Sequence, residues 1–132
     1  MVYLKGPEVQ YLLLRYEAGH WDFVKGNVEE GEMEKETVIR ELREETGIVD
    51  AQFINGFKEK ISYFYKRQGS TIYKEVIFYL IETTTQKVTL SFEHIGFDWL
   101  PFDKAMERLT FRNARDVLKK ADHYLKTQGK IE

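Results

Sequence analysis

One helix-forming segment with strand-forming runs on both sides most constrains how this chain can fold. Residues 34–45 contain no glycine or proline, and Gly47 follows at a position where a helix commonly ends. Short runs rich in β-branched and aromatic residues lie before and after it, at 9–14, 21–24, 51–54, 60–65, 76–81, 87–90 and 97–100. Burying this many strands favours an α/β fold, in which a mixed β-sheet lies between helices.

Turn and capping residues add three expectations about local structure. Gly6-Pro7 separates residues 2–4 from 9–14 and predicts a β-hairpin. Pro101 predicts the start of a short helix, and Asn113 predicts the N-cap of a final one. The final helix has apolar positions at helical spacing, namely Ala114, Val117, Leu118, Ala121 and Leu125.

Composition narrows the class of protein. The 132 residues are 42% hydrophobic and carry a formal net charge of −2, which predicts one folded domain over residues 1–132. Nucleic acid is therefore an unexpected partner, except for the 5′ end of an RNA.

There is no cysteine, so a metal must be held by oxygen or imidazole ligands. No run is long and apolar enough for a membrane span, and we expect a cytoplasmic protein.

The predicted helix carries a concentration of carboxylates. Glu41, Glu44 and Glu45 fall within about a third of a helical turn, and Val38 and Leu42 lie on the opposite side. Like charges at this spacing repel, and a divalent cation such as Mg²⁺ turns the repulsion into attraction. An ordinary solvated acidic face, softened by nearby lysines and arginines, fits the same periodicity.

The spacing of these and neighbouring residues along the chain favours the metal-binding interpretation. Residues 26–48 match the signature G-x5-E-x7-R-E-U-x-E-E-x-G-U, in which U is bulky and apolar, at every specified position. Those positions are Gly26, Glu32, Arg40, Glu41, Leu42, Glu44, Glu45, Gly47 and Ile48. The chain therefore resembles the Nudix hydrolases, which cleave nucleoside diphosphates linked to another moiety on an α/β/α sandwich.

The resemblance implies roles for several carboxylates. Glu41, Glu44 and Glu45 match metal-binding positions, with Mg²⁺ as the expected cofactor and Mn²⁺ as a substitute. Glu93 matches a loop carboxylate that is a further metal ligand or the general base, and Glu41 is the alternative base. Arg40 matches a motif arginine expected to orient carboxylates, with Glu32 among its partners.

A narrower resemblance concerns the substrate. The stretch WDFVKG at 21–26 is similar to the W-x-F-P-K-G entry of the asymmetric diadenosine tetraphosphate hydrolases, and residues 56–65, 74–80 and 91–100 resemble later parts of those enzymes. This implies hydrolysis of a dinucleoside polyphosphate to ATP and AMP. The expected substrate-binding residues are Lys25, Gly26, Tyr63, Lys74 and Phe78. The chain departs from the family pattern at Val24 and Asn27, where proline and histidine are usual.

Alternatives to this substrate remain open. Another Nudix activity, chiefly removal of pyrophosphate from RNA 5′ ends, fits the same signature, as does sanitation of oxidised nucleotides. A nucleotide sensor that binds without cutting usually loses signature carboxylates, and this chain keeps them. His94 is expected to be structural, and His20 and His123 receive no role. Monomer and homodimer are both compatible with the sequence.

Overall fold

The computed structural model describes residues 1–24 and 34–129. In chain order the elements are β1 (Val2–Leu4), β2 (Gln10–Tyr16), β3 (Trp21–Asp22), α1 (Glu34–Thr46), β4 (Gln52–Arg67), β5 (Ser70–Thr83), β6 (His94–Leu100), α2 (Phe102–Arg108) and α3 (Arg112–Thr127). No helix within these residues is long and apolar enough to cross a membrane.

The strands form one mixed sheet. Its order is β3-β2-β1-β5-β4, and β6 pairs with β2. β1 runs parallel to β5, whereas the other pairs are antiparallel. The hairpin predicted around Gly6-Pro7 is confirmed, because Tyr3 pairs with Tyr11 in the β1–β2 ladder. The predicted α/β class with a mixed sheet between helices is also confirmed.

Successive side chains of β2 point to opposite faces of the sheet, so this strand contributes to an apolar cluster on each face. Tyr11 and Leu13 join the apolar cluster that includes Ala105 of α2 and Leu118 of α3. Leu12 and Leu14 join the opposite cluster, to which α1 contributes Leu42 and Val38. Helices therefore cover both faces, and the five apolar positions predicted for the last helix are all buried.

Three sequence predictions about strands need correction. The strand predicted over 21–24 is only Trp21–Asp22. The runs 51–54 and 60–65 belong to the single long strand β4, whose register shifts between Phe53 and Lys58. Residues 87–90 are not a strand, and the N–H of Thr89 in this segment donates to the carbonyl of Thr46 at the end of α1.

The predicted N-cap of the last helix is also wrong. α3 begins at Arg112 and Phe111 is its N-cap, with extended backbone and no side-chain capping bond. The preceding loop is held instead by Arg115, whose guanidinium donates to the carbonyl of Leu109 over 2.8 Å. Asn113 therefore lies inside the first turn.

Candidate active site

Backbone hydrogen bonds join the end of α1 to the segment before β6. The N–H of Thr89 donates to the carbonyl of Thr46 over 2.9 Å, and the N–H of Ser91 donates to that of Glu45 over 3.2 Å. The last carbonyls of a helix lack partners within the helix, so this segment caps α1. The same bonds bring residues 91–94 over the carboxylates of the last helical turn.

A cluster of three ligand-type side chains forms at this junction and is here called the Glu45 cluster: Glu45, Glu93 and His94. One ligand atom from each lies within 4.8 Å of the other two. Nε2 of His94 lies 3.5 Å from Oε2 of Glu45. Counting residues 1–24 and 34–129, neither of these two buried atoms has a hydrogen-bond partner. Since buried polar atoms are normally bonded, the cluster offers donor atoms to a bound group.

The electrostatics of the cluster favour a cation. The pKa of Glu45 is raised to about 8, chiefly by burial and next by the carboxylate of Glu41, with smaller effects from Glu93 and Glu44. Burial also lowers the pKa of His94, against the opposing influence of Glu93 and Glu41. A neutral imidazole does not compensate the carboxylates, whereas a divalent ion would.

The chemistry of these donors fits a divalent metal. Two carboxylates supply the hard oxygen atoms that Mg²⁺ and Mn²⁺ prefer, and the imidazole adds a nitrogen suited to transition metals. Glu45 would hold the ion with Glu41 beside it, and Glu93 lies next to them as a further ligand or as the general base.

Arg40 organises the other signature carboxylates. Its Nη1 lies 2.8 Å from Oε1 of Glu41 and 3.0 Å from Oε2 of Glu44. The predicted orienting contact of Arg40 with carboxylates is present for these two residues, and Glu32 lies outside the described residues. The three helix carboxylates do not all face outward as expected. Glu45 is buried, whereas the side chain of Glu44 is 55% exposed.

A cleft of about 560 Å³ opens beside Glu41. It extends to the two-stranded ribbon formed by β4 and β5, where Tyr63 pairs with Lys74 across the strands. Phe78 also lines it, although this ring is only 3% exposed and makes an edge-type contact with Phe23. The structure thus brings together Glu41, Tyr63, Lys74 and Phe78, with Phe78 as part of the apolar wall. Lys25 and Gly26, also predicted to bind substrate, lie outside the described residues.

A row of aromatic rings forms another wall that the sequence did not reveal. The imidazole of His20 stacks on Tyr16 with ring centroids 4.7 Å apart. Tyr16 meets His94 edge-on at 4.6 Å, and Phe111 lies 5.3 Å from His20. Tyr16, His20 and Phe111 all line the cleft. The one signal in the sequence is that Tyr16 and His20 lie close together at the turn before β3.

A mixed sheet with helices on both faces, and an acidic cluster at the end of α1 near Glu41, which lines a cleft, is the arrangement of a hydrolase of the NUDIX class. The model of the NUDIX domain matches residues 1–121, and the chain belongs to the NUDIX family. Members of this family typically use divalent metals, in agreement with the Glu45 cluster.

Curated relatives and solved structures agree with this assignment. The chain is 34% identical to the asymmetrical bis(5′-nucleosyl)-tetraphosphatase of Mus musculus, over 89% of this chain and 81% of that protein. It is 30% identical to an RNA pyrophosphohydrolase of Nitratiruptor sp., over 83% of this chain and 76% of that protein. A crystal structure of a Caenorhabditis elegans Ap4A hydrolase binary complex matches with a TM-score of 0.83 and 27% identity, covering 96% of this chain and 93% of that one. The protein is thus a Nudix hydrolase that resembles diadenosine tetraphosphate hydrolases.

Proposed function

We propose that this protein hydrolyses diadenosine tetraphosphate to ATP and AMP, with Mg²⁺ as its cofactor and Mn²⁺ as a substitute. The observation that supports this proposal most directly is the cleft that runs from Glu41 to Tyr63 and Lys74. Glu41 lies at one end of the cleft, and Lys74 lies with the ring of Tyr63 at the other, as a nucleoside linked to a polyphosphate requires. The similarity to asymmetrical tetraphosphatases supports the same substrate.

The cofactor and the protein have separate tasks in this proposal. When bound, the divalent ion neutralises charge on phosphate oxygens and acidifies a water molecule. Glu41 and Glu45 would hold the ion, and Glu44 would bind it directly or through water. Arg40 keeps Glu41 and Glu44 in place through its two short contacts.

Glu93 is the residue that we assign as general base. Glu41, the alternative base, is engaged by Arg40 at 2.8 Å and lies beside Glu45. Glu93 is exposed, and one of its carboxylate oxygens lies near Glu45 and His94. As the water oxygen attacks phosphorus, its proton passes to the Glu93 carboxylate and the bridging P–O bond breaks, so that AMP and ATP separate.

The ribbon residues position the substrate. Lys74 is half-buried opposite Tyr63, so its ammonium group contacts phosphate beside the aromatic ring on which adenine stacks. Phe78 supports this base from the cleft wall. Lys25 and Gly26, which precede α1, are assigned to phosphate contacts on the strength of the signature alone.

Product analysis tests this function. The purified protein is incubated with Mg²⁺ and either diadenosine tetraphosphate or a 5′-triphosphorylated RNA, and the products are separated by chromatography. We expect ATP and AMP from the dinucleotide, and loss of turnover in the presence of a chelator. Much faster processing of the RNA would replace the proposed substrate with RNA 5′ ends, which the RNA pyrophosphohydrolase relative makes the second candidate.

Two variants separate substrate handling from general surface charge. Lys74→Ala is expected to raise the KM for the dinucleotide about tenfold through loss of a charge-assisted phosphate contact, about 1.4 kcal/mol. Lys104→Ala on the exposed face of α2 is the matched control and should leave KM unchanged. Equal KM values for both variants would contradict the assignment of Lys74.

A further inference from the structure

An irregularity in the β2–β6 ladder decides which residue of β6 lies beside the proposed metal site. Arg15 pairs with Gly96, but the next residue of β2, Tyr16, pairs with His94. Ile95 therefore has no partner in this ladder, as in a β-bulge. In a regular ladder Ile95 would lie opposite Tyr16. The bulge gives that place to His94, which is buried, and leaves Ile95 exposed.

The bulge makes Tyr16 and His94 a cross-strand pair on one face of the sheet. Side chains directly opposite each other in an antiparallel ladder lie on the same face. This face is the one covered by α1, because Tyr16 packs against the apolar cluster that includes Leu14 of β2 and Leu42 of α1. The imidazole of His94 is thereby brought to α1, and its Nε2 lies 3.5 Å from a carboxylate oxygen of Glu45.

Hydrogen bonds do not set the orientation of the His94 imidazole. Neither of its ring nitrogens has a hydrogen-bond partner among residues 1–24 and 34–129. A histidine at a metal site is usually oriented by a hydrogen bond from its second nitrogen. Here the imidazole is instead packed edge-on against the ring of Tyr16, with 4.6 Å between the ring centroids. This ring contact is suited to fix the imidazole beside Glu45.

The ring of Tyr16 is itself firmly held. Its hydroxyl donates to the carbonyl of Phe23 over 2.6 Å, and its face stacks on His20 with an angle of 7° between the ring planes. The N–H of Tyr16 also donates to the carbonyl of His20 over 2.9 Å. With its hydroxyl, its face and its backbone all engaged, Tyr16 has little freedom to change rotamer, which suits it to hold a neighbouring ring in place.

We propose that Tyr16 is a positioning residue for the metal site, whose ring, aimed by the bulge, holds the imidazole of His94 against Glu45. This role rests on the metal site of the proposed function and not on which nucleotide is cleaved. Tyr16 lies ten residues before the signature at 26–48, which assigns it no role. Loss of such a supporting contact typically lowers metal affinity by about 10–100-fold.

Calorimetric titration with Mn²⁺ tests the proposal. Tyr16→Leu removes the ring, and its Mn²⁺ affinity should fall about tenfold. Tyr16→Phe keeps the ring and should retain wild-type affinity. Phe97→Leu removes the ring from another cross-strand pair of the same ladder, Leu14 with Phe97, and is the matched control that should bind Mn²⁺ like the wild type. Equal affinities of Tyr16→Leu and Phe97→Leu, or an equal loss in Tyr16→Phe and Tyr16→Leu, would overturn the proposal.

A double-mutant cycle separates positioning from a general loss of structure. If Tyr16 acts through His94, Tyr16→Leu should cause no further loss of Mn²⁺ affinity in a His94→Phe background. The same loss in both backgrounds would show that Tyr16 does not act through the imidazole. Urea unfolding with a chelator checks that each variant is folded. If Tyr16→Leu does not fold, Tyr16→Met takes its place, because its flexible side chain fills the space without an aromatic ring.

Steady-state kinetics distinguish failure of this role from failure of the proposed function. In Tyr16→Leu, the Mg²⁺ concentration that gives half-maximal turnover of diadenosine tetraphosphate should rise about tenfold, more than the KM for the dinucleotide. A change in KM without a change in the Mg²⁺ requirement would overturn the positioning role. The expected loss of Mn²⁺ affinity in a protein that does not cleave the dinucleotide would support this role and contradict the proposed substrate. A wild type that binds no Mn²⁺ would overturn both.

Discussion

His94 and Glu45 lie side by side with their polar atoms turned toward each other, Nε2 to Oε2 at 3.5 Å. Both side chains are buried, and neither of these atoms is hydrogen-bonded within the part of the chain that the structure describes. Tyr16 fixes the imidazole from the other side through an edge-type ring contact. The sequence alone predicted a structural role for His94, yet its Nε2 lies next to a carboxylate that we propose to hold the metal.

Replacing His94 should weaken metal binding while preserving the fold. His94→Phe keeps a ring against Tyr16 but removes both nitrogens beside Glu45. Loss of a ligand or its orienting partner typically costs about 10–100-fold in metal affinity. Calorimetric titration with Mn²⁺ measures this loss. The exposed His123→Phe on α3 is the control, and wild-type Mn²⁺ affinity in His94→Phe would show that the imidazole does not take part.

Glu45→Gln separates metal binding from stability. The neutral amide removes the charge that holds the cation, so kcat should fall by orders of magnitude. The same change removes a carboxylate whose burial is costly, so the free energy of unfolding of the metal-free protein should not decrease. Steady-state kinetics and urea unfolding with a chelator measure the two effects. Glu107→Gln, exposed on α2, should change neither, and a Glu45→Gln protein that keeps its turnover would rule out the assigned site.

Local patterns in the sequence predicted those parts of the site that depend on one element. The helix-forming segment and Gly47 placed α1 almost to the residue, since it spans Glu34–Thr46 and Gly47 has a φ of 77°. The signature placed Glu41 and Glu44 beside Arg40. These features follow from helical periodicity, which the sequence contains directly.

Contacts between distant segments set the rest of the site. Helical spacing grouped Glu45 with Glu44 but could not show that Glu45 is buried, because the segment that covers it lies more than forty residues later. The strand-forming residues at 87–90 predicted a strand, but the N–H groups of Thr89 and Ser91 cap α1. His20 and Phe111 contact each other only because the turn before β3 and the start of α3 meet at the cleft.

The carboxylate of Asp50 should make the free energy of unfolding depend on pH in the acid range. Partial burial alone would raise its pKa, but hydrogen bonds from the hydroxyls of Thr83, Thr84 and Thr85 and the N–H of Thr84 hold it well below the usual range. A lowered pKa stabilises the fold above the ordinary value of 3.8, and that stabilisation is lost as the pH falls below it.

The Asp50→Asn variant isolates this contribution. The variant loses charged hydrogen bonds at a partly exposed position, so its free energy of unfolding should be about 1–2 kcal/mol lower at pH 7. Urea unfolding at several pH values measures the difference between wild type and variant, which should shrink as the pH falls from 4 toward 2. Asp116→Asn, exposed on α3, controls for loss of one negative charge. A difference that stays constant over this range would contradict the role of the Asp50 carboxylate.

Gly56 should tolerate no side chain, for two separable reasons. It lies where the register of β4 shifts, its φ is 89°, and an added Cβ would overlap the hydroxyl of Tyr124. That hydroxyl donates to the carbonyl of Asn55 over 2.6 Å and ties α3 to β4, so it cannot move without losing this bond. Gly56→Ala should therefore destabilise the protein by about 2 kcal/mol or more, of which about 1 kcal/mol is the cost of the left-handed backbone.

Gly69→Ala measures the backbone cost alone. Gly69 has a similar φ of 79°, and no atom lies within 4 Å of an added Cβ. Thermal or urea unfolding of both variants therefore separates backbone strain from steric overlap. Combining Gly56→Ala with Tyr124→Phe removes the overlapping oxygen, so the double variant should be less destabilised than the sum of the two single changes. Equal destabilisation in Gly56→Ala and Gly69→Ala would show that α3 does not press on this bend of β4.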